Sequence, residues 1–474
     1  MKANKLKLFL FLCGGLFLLF PSCSEEGNDL IEPDDSTSIS KITVKVNRFI
    51  ANYMKELYLW TSTVDWNTVN PETEPDSFDF FNKLVYEEED VWSSLTENIQ
   101  ELTSEFEGVS TTFGYRLVLG RFINSENLFA IVLYVYPGTP ADLAGMKRGD
   151  ILLSINETPI TEANYSDLYD ASSLRIGKGI DTGEGIAEDS APPYSLTAQS
   201  MYENPIIKDT VIVKGANKIG YLCYADYTPE SERELLAVFS RFKSGGVTDV
   251  VLDLRYNGGG YMHTANVLSS ILAPSPVVKR KDIFLSAVWN DARMAYYKRN
   301  KIEVDEYFTD TLSVNMNLNR VFILATGRTA SASESTIIGL EPYMEVIRIG
   351  STTYGKYCGG LLLSDENDED IANWGMYLML YRFANKNGAT SFTGGLAPDI
   401  EAKEDYDFLY PFGDERDPLL GTAIGEITGQ PYVQTRSGKS SVPFYPDRSL
   451  ERRGALHGKM IDTRPLPFIS NKPE

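Results

Sequence analysis

At 474 residues the chain is too long for one ordinary hydrophobic core, and its length points to about two to four folded units. Its 44 Lys and Arg against 66 Asp and Glu leave a formal net charge of −22, which repels phosphate backbones and excludes nucleic acid as the expected partner. Four cysteines, two of them within the first 23 residues, exclude a disulfide framework and leave room for one bridge at most in the folded part, Cys223 to Cys358.

The apolar run from Leu8 to Phe20 follows a lysine-bearing start and is short for a bilayer span of about 20 residues. It reads as a secretory signal over residues 1–22. The run ends at Pro21-Ser22-Cys23, which resembles the lipobox of bacterial lipoproteins; that resemblance implies lipidation at Cys23 and a place in the cell envelope, held to the membrane by the lipid alone. The alternative is a plain signal peptide with an incidental cysteine. The acidic, polar stretch that follows, residues 23–40, buries too little apolar surface to fold and is expected to be a tether, similar to the acidic segment of some surface-exposed lipoproteins of the Bacteroides group.

From Ile42 to Trp60 apolar residues recur at spacings of three and four, and "DSFDFFNKLVYEEEDVW" repeats the style, which predicts a helical N-terminal domain over 41–108. Its aromatic residues are expected in a core. Next come two β-rich runs, Pro137-Gly138-Thr139-Pro140, a short Ala-rich helix, a Gly-Asp turn and another strand. This order, "GTPADLAGMKRGDILLSINETPI" above all, resembles a PDZ domain and is assigned to residues 109–205. The resemblance implies capture of an extended peptide at a sheet edge, with Phe113, Gly114 and Tyr115 where the carboxylate-binding loop belongs; a β-rich spacer that binds nothing is the alternative. The Gly- and Pro-containing stretch Gly177 to Ser195 reads as a surface insertion.

Residues 206–430 alternate strands with helices: "KIGYLCYADY", a helix from Pro229, "DVVLDLR", "MHTANVLSSIL", "RVFILATG", "SASESTIIGLE" and "EVIRIG". That alternation predicts an α/β core with crossover units, so the expected fold class is α/β multidomain: helical cap, β-rich PDZ-like domain and α/β core. "VVLDL" is almost continuously apolar, as a strand covered on both faces should be. Pro274 to Asn319 carries no clear period, and residues 431–474 are basic, aperiodic and expected to be a loosely packed tail.

The chemistry is narrowed by elimination. The only histidines are His263 and His457, in no metal-binding spacing, so no metal or cofactor is expected and a Ser-His-Asp triad rests on one of these two. Two segments fit acyl transfer. "DLRYNGGG" ends a buried strand in three glycines that let backbone N–H groups face a ligand, an oxyanion-hole candidate or simply a tight turn. In "TGRTASASE", Thr329, Ser331 and Ser333 stand where a strand hands over to a helix, as N-caps or as a nucleophile among small neighbours. Lys356, in "GSTTYGKYCGG", is a surface lysine or a base that burial must hold neutral.

Together, "GTPADLAGMKRGDILLSIN", "KIGYL", "DLRYNGGG", "TASASE", "GSTTYGK" and "GGLAPDI" resemble the C-terminal processing peptidases, or tail-specific proteases, over residues 109–425. The resemblance implies a serine peptidase acting on polypeptide substrates, with Ser331 as nucleophile and Lys356, 25 residues later, as general base. It also implies an oxyanion hole from Ala332 and one of Gly259 or Gly260. The family commonly has Gln or Glu four residues after the lysine; here that position is Gly360, and Glu334 is the candidate to orient the base instead. Cys358 is a weaker candidate nucleophile. The competing readings are a catalytically silent peptide-binding scaffold of the same fold and, from aromatic content alone, a glycan-binding lipoprotein.

Overall fold

Ser40 opens helix α1 (Lys41–Leu57) by accepting the Thr43 N–H on its hydroxyl, and Val46, Phe49, Ile50, Met54 and Leu57 bury one face. The computed structural model describes residues 39–122, 125–388, 392–406, 408–433 and 459–462; the signal-like run, Cys23 and His457 lie outside them. Helix α2 (Ser77–Leu84) is capped by Asp76. Strand β1 (Ser94–Thr96) pairs with a strand of the α/β core, Leu95 opposite Met376, and Leu59 N–H donates to Met379 O. The N-terminal helical region expected from the sequence is present, and its helices share one hydrophobic core with the α/β part.

The PDZ-like region is an antiparallel sheet in the order β2 (Tyr115–Arg121), β3 (Leu128–Val135), β4 (Ile151–Ile155), β5 (Ser173–Asp181), with a short helix at Pro140–Leu143. Much of the expected insertion is sheet: β5 runs from Ser173 to Asp181, and Tyr194–Thr197 pairs back onto it. The glycines that disguise this strand have a steric reason. A Cβ at Gly177 would stand 2.1 Å from Ser154 Oγ, and one at Gly179 2.8 Å from Ile151 Cγ2, so β5 approaches β4 too closely for side chains there.

The α/β core follows as β6 (Ile206–Lys214), β7 (Asn217–Tyr224), α3 (Glu232–Ser244), β8 (Asp249–Asp253), β9 (Gly259–Tyr261), α4 (Met262–Leu272), β10 (Ile283–Trp289), β11 (Asp305–Tyr307), β12 (Arg320–Ala325), α5 (Ala332–Leu340), β13 (Glu345–Gly350), β14 (Cys358–Ser364), β15 (Gly375–Ala384), β16 (Ile400–Glu401), α6 (Pro418–Thr428) and β17 (Lys459–Ile461). One sheet has the order β6-β7-β8-β12-β13-β16, parallel except for β6. Its period-two alternation feeds both faces: Leu222, Leu252 and Ile323 join the core with α3, α4 and α5, while Tyr221, Val251 and Phe322 pack with Leu419, Leu420 and Ala423 of α6.

The second sheet has the order β9-β17-β14-β15-β10-β11, with β1 also on β15. Two regions that lacked a period enter it. β10 and β11 come from the unassigned Pro274 to Asn319, and β17 comes from the expected loose tail. Ile461 is buried in the main core, so this part of the tail is not loosely packed.

Candidate active site

The small residues between β12 and α5 stitch two turns together. Thr326 N–H donates to Thr329 Oγ1 (2.9 Å), whose hydroxyl donates to Leu254 O (2.7 Å); Ala330 N–H (3.0 Å) and Ser333 Oγ (3.1 Å) both donate to Asn257 O. Larger side chains would hold the Asn257 turn away from the start of α5. Ser331 sits at the N-cap with φ 61° and ψ −110°, a conformation that costs an L-residue about 1–3 kcal/mol and persists only where its surroundings enforce it. Its Oγ is buried and has no hydrogen-bond partner among the described residues.

Glu334, one turn into α5, is fully buried and joins the two sequence candidates. Its Oε2 accepts Ser331 N–H at 2.7 Å and Lys356 N–H at 2.9 Å; its Oε1 accepts Thr353 Oγ1–H at 2.5 Å and Gly355 N–H at 2.7 Å. One carboxylate oxygen thus ties the backbones of Ser331 and Lys356 within the span of two hydrogen bonds. Burial pushes this carboxyl up to about 7, while the four donors pull the other way. Glu334 therefore orients the loop that bears Lys356 through its backbone.

The Lys356 side chain is completely buried, and desolvation brings it down to about 8 against the opposing pull of Cys358, Asp90 and Glu334. The surface reading of this lysine is excluded by that burial. Its Nζ lies 3.1 Å from Tyr377 Oη and stands 5.0 Å and 5.4 Å from the ring centres of Tyr377 and Trp92. Tyr377 on β15 and Trp92 and Asp90 in the N-terminal region are residues that sequence reasoning missed: Tyr377 stands in no motif, and Trp92 and Asp90 are remote from the lysine along the chain. Cys358 is a buried thiol that desolvation pushes up, which disfavours the thiolate a nucleophile needs.

The glycine turn is partly as expected. Ala332 is the first residue of α5, where a helix leaves N–H groups without intrahelical acceptors. Gly259 and Gly260 have φ of 114° and 134°, open chiefly to glycine. Gly259 N–H, however, donates to Asn257 Oδ1 at 2.9 Å and is not directed at an incoming oxyanion. His263, the remaining histidine in the described residues, is exposed on α4 beside Glu232 at 3.9 Å.

Residues 218–402 match the description Peptidase family S41, residues 45–94 its N-terminal domain and residues 131–174 a PDZ domain. The chain belongs to the S41 peptidase family. Among relatives, it is 26% identical over 285 residues to the chloroplastic C-terminal processing peptidase of Tetradesmus obliquus, covering 57% of this chain and 56% of that one. It is 22% identical over 311 residues to the carboxy-terminal processing protease CtpA of Bacillus subtilis, covering 64% and 58%. The chain therefore spans a little over half the length of these curated relatives. A crystal structure of a Bacteroides fragilis protein described as an S41 protease superposes with a TM-score of 0.68 at 26% identity, over 80% of this chain and 97% of that one.

The S41 chain departs from the family pattern at Gly360, and the structure gives the reason. A Cβ there would stand 2.5 Å from both Leu378 O and Met379 Cε and 3.0 Å from the Tyr377 ring, so the space belongs to β15 and Tyr377. In the PDZ domain, Phe113 and Tyr115 are buried in that domain's core and Tyr115 Oη donates to Leu168 O. Gly114 N–H is already donated to Thr112 Oγ1 at 2.9 Å, and its carbonyl accepts from Tyr136 N–H. These three residues build the domain's interior and leave no open cradle at Gly114.

A buried charge network joins the PDZ domain to the glycine turn. Arg148, from the Gly-Asp turn of the PDZ domain, donates to Tyr256 Oη at 2.9 Å and to Glu404 Oε1 at 2.5 Å. Arg255 donates to Asp253, Glu404 and Asp417, each within 3.1 Å. Neighbouring guanidinium groups hold Glu404 and Asp417 below the usual carboxylate range despite their burial.

Proposed function

We propose that this S41 chain is a serine endopeptidase that hydrolyses peptide bonds through a Ser331–Lys356 dyad. The observation that carries it is the Glu334 carboxylate, which ties Ser331 and Lys356 together beside a lysine brought down to about 8 by burial. Neutral Lys356 Nζ takes the proton from Ser331 Oγ as Oγ attacks the substrate carbonyl carbon. The oxyanion of the tetrahedral species is stabilised by Ala332 N–H at the positive end of α5. The lysine ammonium then protonates the leaving amine, the acyl-enzyme forms, and a water deprotonated by Lys356 releases the new carboxylate. The polypeptide substrate is an extended or C-terminal segment presented with help from the PDZ domain. The chain works in the cell envelope, anchored by a lipid on Cys23.

Acyl-enzyme trapping tests the chemistry. A chromogenic peptide ester is mixed with the protein, quenched in acid and digested, and the adduct is located by mass spectrometry. Acylation at Ser331 supports the dyad, and consumption of ester with the adduct elsewhere counts against it. One observation favours a peptide-binding protein without turnover, namely the Gly259 N–H already committed to Asn257; on that reading no adduct accumulates while peptide still binds.

A further inference from the structure

Strand β17 (Lys459–Ile461) lies between β9 and β14 and runs parallel to both. Lys459 is level with Gly259, Met460 with Gly260, and Ile461 with both Tyr261 and Gly360; Asp462 N–H donates to Gly360 O at 3.1 Å. Gly259 O and Tyr261 N–H are both turned toward Tyr227, accepting its N–H and donating to its carbonyl. Strand alternation then turns the Gly260 N–H and carbonyl to the other side, toward β17.

The two strands that flank β17 are those that leave the active site. β9 starts two residues after Asn257, whose carbonyl holds Ala330 and Ser333 on either side of Ser331. β14 starts two residues after Lys356. Because all three strands run the same way, the N-terminal end of β17 faces the dyad and its C-terminal end leads away. Take β17 out, and β9 and β14 border a slot one strand wide, about 10 Å between them. What holds the occupant is backbone pairing on both edges, which any extended peptide can make, together with the buried side chains of Ile461 and Asp462.

We propose that the slot between β9 and β14 is a strand-addition site for the part of a polypeptide on the C-terminal side of the bond to be cut, and that residues 459–462 fill it in cis. This rests on the dyad assigned above. The slot takes an extended chain in parallel register with an apolar residue at the Ile461 position, and the chain's own segment competes with substrate for it.

The test uses the full chain with two substitutions that loosen the occupant. Ile461→Asp places a charge where the apolar side chain is buried, and Asp462→Pro removes the N–H that reaches Gly360 O. A fluorescent peptide of residues 456–465 is titrated by anisotropy against wild type and each variant, all carrying Ser331→Ala so that binding is read without turnover. Binding at least ten-fold tighter to either variant than to the parent supports the slot. Equal binding in both variants overturns it, as does loss of the folded state in both, which makes β17 an obligatory part of the sheet. With Ser331 restored, the slot predicts a lower KM for an unfolded reporter at unchanged kcat. If nothing is cleaved by any form while the binding difference persists, the dyad fails and the slot stands.

Discussion

The Nζ of Lys356 stands 3.1 Å from the hydroxyl oxygen of Tyr377, whose ring fills the space beside Gly360. Gly360 is what admits the Tyr377 ring there. A hydroxyl that accepts from the ammonium stabilises the charged lysine, so removing it favours the neutral form. Tyr377→Phe is expected to lower kcat about ten-fold, the worth of one hydrogen bond to a charged group, and to move the rising limb of the kcat/KM profile to lower pH. An unshifted limb would mean that Tyr377 only packs.

Glu334 accepts from four donors and has nothing to give back. Replacing it with glutamine turns two N–H groups of the new amide against donors already in place. Glu334→Gln is expected to cost about 3 kcal/mol in denaturant unfolding and to abolish measurable turnover, since two buried donors lose their acceptor. Retained stability together with retained turnover would show that the carboxylate is not what holds Ser331 and Lys356 together.

The pH dependence follows from two groups that act in the same direction. Lys356, brought down to about 8, must be neutral to take a proton, and its neutral fraction grows with pH. Glu334, raised to about 7, must be ionised to accept from all four donors, and that fraction also grows with pH. Initial-rate kcat/KM is therefore expected to rise with pH, steepening below about 7 and levelling above about 8. A profile that falls between pH 7 and 8 would contradict both assignments.

Arg255 is buried against Asp253, Glu404 and Asp417, and Asp417 also caps α6 by accepting Leu419 and Leu420 N–H. Asp417→Ala strips one charge from a buried set and the cap from a helix. It is expected to destabilise the chain by about 3–5 kcal/mol in denaturant unfolding. A change under about 1 kcal/mol would show that Glu404 and Asp253 suffice for Arg255.

The sequence carried the architecture wherever periodicity and glycine turns were strong. The helix expected at "MHTANVLSSIL" is α4, and "DVVLDLR" and "RVFILATG" are the adjacent parallel strands β8 and β12. Ser331 and Lys356 were legible as motifs, but their relationship was not: it depends on the Glu334 carboxylate, on Trp92 from the N-terminal region and on Tyr377 from the neighbouring strand β15, neither of which stands in a motif. β5 was hidden because its glycines serve close approach to β4, a cause that looks like a loop in composition. β17 was hidden because three residues in a basic, aperiodic stretch carry no period, and a neighbouring pair of strands alone gives them one.

The most direct test of the dyad is cleavage of a permanently unfolded reporter protein by the purified chain, beside Ser331→Ala and Lys356→Ala with matched thermal melts. The dyad predicts turnover in the wild type and loss of at least a thousand-fold in each variant. Undiminished turnover in either folded variant, or none in the wild type at pH 8 to 9, would contradict it.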